Sequence, residues 1–242
     1  MKKLAVIIPA YRESENILAL CDEILSFWPT ADILIVDDSP DNFTVDAVEN
    51  RGLEQVSIIH RETKGGRGSA VVFGISQYID EEYDFYLEMD ADFSHQPSEI
   101  PSLVTYAENE SLDILIASRY LAESKILNWS LSRRLFSRLA NVVARFVLNV
   151  PVKDYTNGFR LYSKPAANIV VDNCGQLGSG FIILSEILVN IHYRGCRVGE
   201  IQTEFLNRVR GESSLSLSEI WSALVGLIKI HKLKKELVKC NV

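Results

Sequence analysis

Phe85-Tyr86-Leu87-Glu88-Met89-Asp90-Ala91-Asp92 is a short apolar run that delivers two carboxylates one residue apart. Such neighbours raise each other's pKa and destabilise the segment that carries them. A divalent cation removes the conflict. Mg2+ takes one or two protein carboxylates and fills its other positions with phosphate oxygens and water. At the end of a buried strand, Asp90-Ala91-Asp92 therefore reads as a site for a metal and a diphosphate. Taken alone, a solvated turn explains it equally well.

The neighbouring runs decide between these readings. Leu4–Ile8, Asp32–Val36, Val56–His60 and Ile114–Ala117 are short apolar runs too, as strands buried on both faces are. Helical spacing lies between them, as in Ile17, Leu20, Cys21, Ile24 and Leu25, with Ser14 as the expected N-cap. The alternation predicts an α/β fold, a mainly parallel sheet flanked by helices. Ligands then bind beyond the carboxyl ends of the strands. Those ends carry Pro9-Ala10-Tyr11-Arg12-Glu13, Asp37-Asp38-Ser39, Asp90-Ala91-Asp92 and Ser118-Arg119-Tyr120. Asp37 or Asp38 offers an acceptor to a base or a ribose. Lys64-Gly65-Gly66-Arg67-Gly68-Ser69-Ala70 precedes a helix, where glycine amides and the helix N-terminus suit phosphate.

The second half reads differently. Asp154-Tyr155-Thr156-Asn157-Gly158-Phe159-Arg160 holds a carboxylate, a turn glycine and an arginine, a functional cluster or a charged turn with a local ion pair. Arg208-Val209-Arg210-Gly211-Glu212-Ser213-Ser214 is a basic loop, suited to closing over a diphosphate or to lying exposed. Residues 130–148 predict one long helix. Arg134, Arg138 and Arg145 share a stripe, with Leu135, Leu139, Val142 and Phe146 beside it. Leu217, Trp221, Leu224 and Ile228 share another face, followed by Lys229, Lys232, Lys234, Lys235 and Lys239. Such faces are ordinarily core; the other reading is docking on an anionic membrane surface.

The 242 residues suffice for one domain, with a nucleotide half to about residue 120 and an acceptor half over 121–242. A net charge of −7 argues against a nucleic-acid partner. Cys21, Cys174, Cys196 and Cys240 are scattered, so neither a zinc cluster nor a disulfide framework is expected. No secretory leader is expected from the short apolar run before Pro9, nor a membrane span, which needs roughly 18 apolar residues. A cytoplasmic location is the expectation.

In this order the segments resemble the GT-A-fold glycosyltransferases of family 2. Within it they are most similar to dolichol-phosphate mannosyltransferases and bacterial polyprenyl-phosphate relatives. The residues that carry the likeness are Ile8 to Glu13, Asp37-Asp38-Ser39, Gly65 to Ala70, Met89 to His95, Ser118-Arg119-Tyr120, Asn128-Trp129, Arg133, Asp154 to Arg160, Ser185-Glu186, and Arg208 with Gly211 and Ser213.

The resemblance implies a single Rossmann-like domain and an inverting transfer. The sugar, mannose, would pass from a nucleotide diphosphate sugar, GDP-mannose, to a polyprenyl or dolichyl phosphate. Pro9, Tyr11, Glu13 and Asp38 would hold the nucleotide. Asp90, Ala91 and Asp92 would hold the donor, with Mg2+ or Mn2+ on the two aspartates. Arg119 and Arg133 would receive the acceptor phosphate, Asp154 would orient the acceptor or act as base, and Arg208 would close the loop. A membrane surface is the implied partner, with room for a membrane-spanning subunit, and the place is the cytoplasmic face of that membrane. Three positions depart from the family pattern: Ser214 where lysine is usual, Arg67 where leucine is usual, and Gln96. Two alternatives stand beside this reading. One is a family 2 enzyme acting on a sugar hydroxyl in surface polysaccharide synthesis; the other is a weakened nucleotide-sugar-binding subunit.

Overall fold

The computed structural model describes residues 2–177, 182–207 and 217–240, with the side chains of the last helix from residue 224 onward. The chain runs β1 (Leu4–Ala10), α1 (Ile17–Phe27), β2 (Asp32–Asp37), α2 (Phe43–Arg51), β3 (Val56–His60), α3 (Arg67–Gln77) and β4 (Phe85–Glu88). A 3₁₀ turn, Pro97–Glu99, leads into α4 (Ile100–Asn109), then β5 (Ile114–Ser118), β6 (Lys125–Leu127) and α5 (Leu131–Leu148). There follow β7 (Arg160–Ser163), α6 (Lys164–Asn173), α7 (Ile182–Tyr193), β8 (Val198–Gln202), β9 (Glu204–Leu206) and α8 (Leu217–Cys240).

Seven strands form one sheet in the order β3-β2-β1-β4-β7-β5-β8, and β6 and β9 make a separate parallel pair. All neighbours in the large sheet are parallel except β7, which is antiparallel to both β4 and β5. The five apolar runs read as strands are β1 to β5. β1, β2, β4 and β5 are covered on both faces, which is why they do not alternate, whereas the edge strand β3 leaves Ser57 and His60 exposed. On one face Ala5, Ile7, Leu34 and Val36 pack under α3, α6 and α7. On the other, Leu4, Val6, Ile8, Ile33 and Ile35 pack under α1 and α4. The chain beyond residue 120 supplies β7 and β8 to the same sheet, so the fold is a single α/β domain.

One local detail differs from the sequence reading. The N-cap position of α1 belongs to Asn16, not Ser14. The Glu13 carbonyl accepts from the amides of Asn16 and Ile17 at 3.0 and 2.9 Å, so the backbone supplies what a Ser14 hydroxyl was expected to give. In α5, by contrast, Ser130 caps the Arg133 amide with its hydroxyl.

The strand order reverses at β1 and β4, the place where such sheets open a crevice. Here the opening is visible in the register. β1 follows β2 as far as Ala10, yet pairs with β4 only through Ile7. Pro9 lies past that divergence, where it has no ladder bond to β4 to give up.

Candidate active site

The residues expected on the donor side stand at these strand ends. Asp38 leaves β2 and is 6% exposed. Arg61 grips it with two bonds, Nε to Oδ1 at 2.6 Å and Nη2 to Oδ2 at 2.7 Å. Its Oδ2 also accepts the amides of Gly65 and Gly66, both at 3.1 Å. Asp38 thus shapes the glycine loop, and Gly66 turns there with φ 82°, a conformation glycine adopts without strain. Asp37 is held by Ser39 Oγ at 2.6 Å and His60 Nδ1 at 2.9 Å. Tyr11 is 40% exposed, and the Lys64 ammonium stands 3.5 Å from its ring centre. Glu13 accepts from Asn16 Nδ2 at 2.8 Å.

Asp90 follows β4. Arg67 Nε donates to its Oδ1 at 2.6 Å. The Asp90 amide donates to His95 Nδ1 at 3.0 Å, so the proton of that imidazole sits on Nε2, which faces Asn157 Oδ1 at 3.1 Å. Burial keeps His95 below its ordinary pKa, hence neutral, with Asp90 and Arg67 pulling in opposite directions. Ala91 is buried in the core and spaces the two aspartates. Asp92 Oδ1 accepts the Ser94 amide at 3.1 Å. The two carboxylates, with oxygen donors only, suit a hard divalent cation, although the Arg67 guanidinium already occupies one oxygen of Asp90. Among the described residues no cluster of three or more metal-binding side chains exists, so further ligands would come from substrate and water.

The two arginines expected to receive the acceptor meet at one ring. Arg119, 8% exposed, faces Trp129 at 5.4 Å, and Arg133 faces it at 4.3 Å. Phe205 packs edge-on against Trp129 and also faces Arg119 at 5.3 Å. Arg133 Nη1 donates to Asn207 Oδ1 at 2.8 Å. Arg119 donates to Asp154 through Nε and Nη2, both at 2.8 Å, and through its amide at 3.0 Å. Asp154 is wholly buried and also takes the amides of Thr156 and Asn157. Burial would raise its pKa, but the Arg119 guanidinium and these bonds hold it below the ordinary aspartate value. A carboxylate so placed is a poor base. The structure places Asp154 against Arg119, which it holds through three bonds.

The Asp154–Arg160 segment is not a charged turn with a local ion pair. Arg160 is fully buried and donates to the carbonyls of Asn157, Leu184 and Tyr155. Sequence reading missed Arg61, Glu88 and Tyr162. Glu88 is fully buried, with Tyr162 Oη donating to Oε2 at 2.7 Å. A lone charge inside an apolar run was its only signal. Arg208 and Ser214 lie outside the described residues.

The apolar stripe of α5 is not core. Leu135 is 72% exposed and Phe146 88%, with Leu131, Leu139 and Val142 also exposed; among the described residues of α5 only Asn141, Ala144 and Leu148 are buried. In α8, Leu224 and Ile228 are exposed while Ile230 is buried. The side chains of Leu217 and Trp221 lie outside the description. No helix among the described residues is long and apolar enough to cross a membrane.

Residues 5–170 match the family described as "Glycosyl transferase family 2". The chain is 30% identical over 230 residues to "Undecaprenyl-phosphate mannosyltransferase" of Micrococcus luteus, covering 94% of this chain and 93% of that one. It is 31% identical over 226 residues to "Polyprenol monophosphomannose synthase" of Mycolicibacterium smegmatis, covering 92% and 84%. Glucosyl-3-phosphoglycerate synthase from Mycobacterium tuberculosis, solved with Mn2+, UDP and phosphoglyceric acid, shares the fold. Its TM-score is 0.68 at 16% identity, over 95% of this chain and 78% of that one. With a sheet of this topology, a matched region running from β1 into α6 and relatives aligned almost end to end, the chain belongs to glycosyltransferase family 2.

Proposed function

We propose that this enzyme transfers mannose from GDP-mannose to a polyprenyl phosphate with inversion. The observation that carries the acceptor choice is the pair of guanidiniums, Arg119 and Arg133, gathered on Trp129. Arginine suits phosphate oxygens through charge and planar donors. The names of the two relatives support the same acceptor class and the same sugar.

A phosphate monoester is already anionic near neutral pH and needs no base, which agrees with a clamped Asp154. A sugar hydroxyl would need one. In the reaction a phosphate oxygen forms the new bond to the anomeric carbon from the face opposite the leaving group. The bond from that carbon to the donor diphosphate breaks, and the diphosphate takes the electron pair. Arg119 and Arg133 offset the repulsion between the incoming phosphate and that diphosphate and align the attack. Tyr11, Glu13 and Asp38 with its glycine loop form the nucleotide end, next to Pro9. Mg2+ or Mn2+ held by Asp90 and Asp92 would supply Lewis-acid stabilisation of the leaving diphosphate. Arg208 would close over it.

The reading extends to a peripheral position on the cytoplasmic face of a membrane. An exposed stripe of leucines, valine and phenylalanine on α5, flanked by Arg134, Arg138 and Arg145, matches an anionic lipid surface. The decisive experiment offers a panel of nucleotide sugars with short polyprenyl phosphates and with glycan acceptors, read by mass spectrometry. Mannosyl phosphoprenol from GDP-mannose is the expected product. Transfer to a glycan hydroxyl and to no lipid phosphate would sink the reading. A second check is Arg133→Ala, expected to raise KM for the lipid phosphate about tenfold or more while leaving KM for the donor near wild type.

A further inference from the structure

Arg67 opens α3, and all three of its guanidinium nitrogens are used. Nε binds Asp90 Oδ1 at 2.6 Å, Nη1 binds Glu88 Oε1 at 2.8 Å, and Nη2 binds the Gly158 carbonyl at 3.0 Å. The arrangement is anchored from behind. Glu88 is fully buried and its second oxygen is taken by Tyr162, so the guanidinium cannot leave without stranding a carboxylate. The surroundings are also shaped to it: a methyl at Gly158 would stand 1.8 Å from Nη2. A fixed cation therefore touches one of the two carboxylates on which the metal reading rests.

We propose that Arg67 is a resident counter-cation of this site and makes metal loading depend on the donor diphosphate. The proposal rests on the assignment of Asp90 and Asp92 as metal ligands. A divalent ion arriving alone must share Asp90 with a positive group within a few ångströms, and like charges so close oppose binding. A diphosphate reverses the balance. It contributes negative charge and oxygen ligands to the ion, and Arg67 attracts it. Metal and nucleotide thus strengthen each other's binding, and the coupling is reciprocal.

The test uses Mn2+ as probe, with bound and free ion measured by electron paramagnetic resonance, alone and with GDP or UDP. The proteins are wild type, Arg67→Leu, Asp92→Asn and the double variant Arg67→Leu/Glu88→Gln. The double variant removes the stranded carboxylate, so it remains informative where the single one fails to fold. Wild type should bind Mn2+ weakly alone and at least about tenfold more tightly with the nucleoside diphosphate. Arg67→Leu should bind Mn2+ alone about tenfold more tightly than wild type, the scale of one lost neighbouring charge; the double variant, which also loses the more distant Glu88 charge, should gain less but still bind more tightly than wild type, and both should gain less from nucleotide. Folded Arg67 variants that bind Mn2+ alone no more tightly than wild type overturn the proposal. Asp92→Asn separates the two layers of the argument: if it binds Mn2+ with GDP or UDP as wild type does, the metal assignment itself is wrong.

Discussion

Arg119 and Asp154 form a pair in which each side chain depends on the other for its burial. Breaking such a pair strands a charge and costs about 3–5 kcal/mol. Asp154→Asn should therefore lower stability to urea by that order and loosen Arg119, reducing kcat/KM for the acceptor more than for the donor. The pH dependence has a definite sign. Asp154 has a folded pKa below its unfolded value, held down by Arg119 against the effect of burial. Its stabilising contribution is therefore present above the unfolded value of about 4 and falls away as pH drops through the lower folded value. Urea unfolding across that range should show wild type and Asp154→Asn converging towards acid; a gap that persists unchanged at low pH would contradict this. Trp129 makes a second case. Replacing it with alanine removes the ring both arginines face, and about tenfold weaker acceptor binding is expected, with phenylalanine retaining part of it. Such pairings separate what the sequence discloses from what it hides. Asp90 and Asp92 stand out in the sequence because of the apolar neighbours along the chain. The grip of Arg61 on Asp38 spans 23 residues and exists only because β2 and β3 are adjacent.

Helix α5 shows the same limit for an element. Its period, its start and its end are readable: residues 130–148 against an observed Leu131–Leu148 capped by Ser130. Periodicity tells that a face is apolar but not what covers it, and the ordinary expectation of core fails here. Fully burying a leucine or phenylalanine is worth about 1.5–3 kcal/mol, so a stripe of five such residues left at the surface is a large unspent driving force. The proposed outlet is lipid. Vesicles containing phosphatidylglycerol should sediment the wild-type protein at low salt, and Leu135→Glu with Phe146→Glu should reduce the bound fraction at least about tenfold. Equal sedimentation of both proteins would return α5 to the status of an ordinary surface helix. At the other end of α5, Lys234 and His231 of α8 meet the Val147 carbonyl at 3.0 and 3.3 Å. Part of the lysine-rich face thus serves the helix terminus, where cations are favoured.

Across the whole molecule, the first five strands were legible and the later ones were not. β1, β2, β4 and β5 are largely buried apolar runs and β3 carries Val56, Ile58 and Ile59, whereas β7 begins with Arg160 and β8 is broken by Gly199 and Glu200. Arg160 reads as a surface charge until the carbonyls that receive it are known. This difference has a thermodynamic counterpart. β5 joins the sheet only through β7 and β8. Residues 1–120 expressed alone should therefore fail to form a stable domain, despite containing all the nucleotide-side residues read from the sequence. Far-UV circular dichroism and a thermal scan would check this, and a cooperative transition for the fragment would refute it.

The late strand also bears on how the protein is made. Tyr162 lies 74 residues beyond Glu88, and a ribosome needs about 4–15 s to add that much chain. Until β7 emerges, β4 presents a bare edge on which a stray strand can add. Glu88 ends that edge, and a charge there is the feature that discourages such pairing. The carboxylate that finishes buried under Arg67 and Tyr162 thus guards the nascent sheet before it supports the finished site.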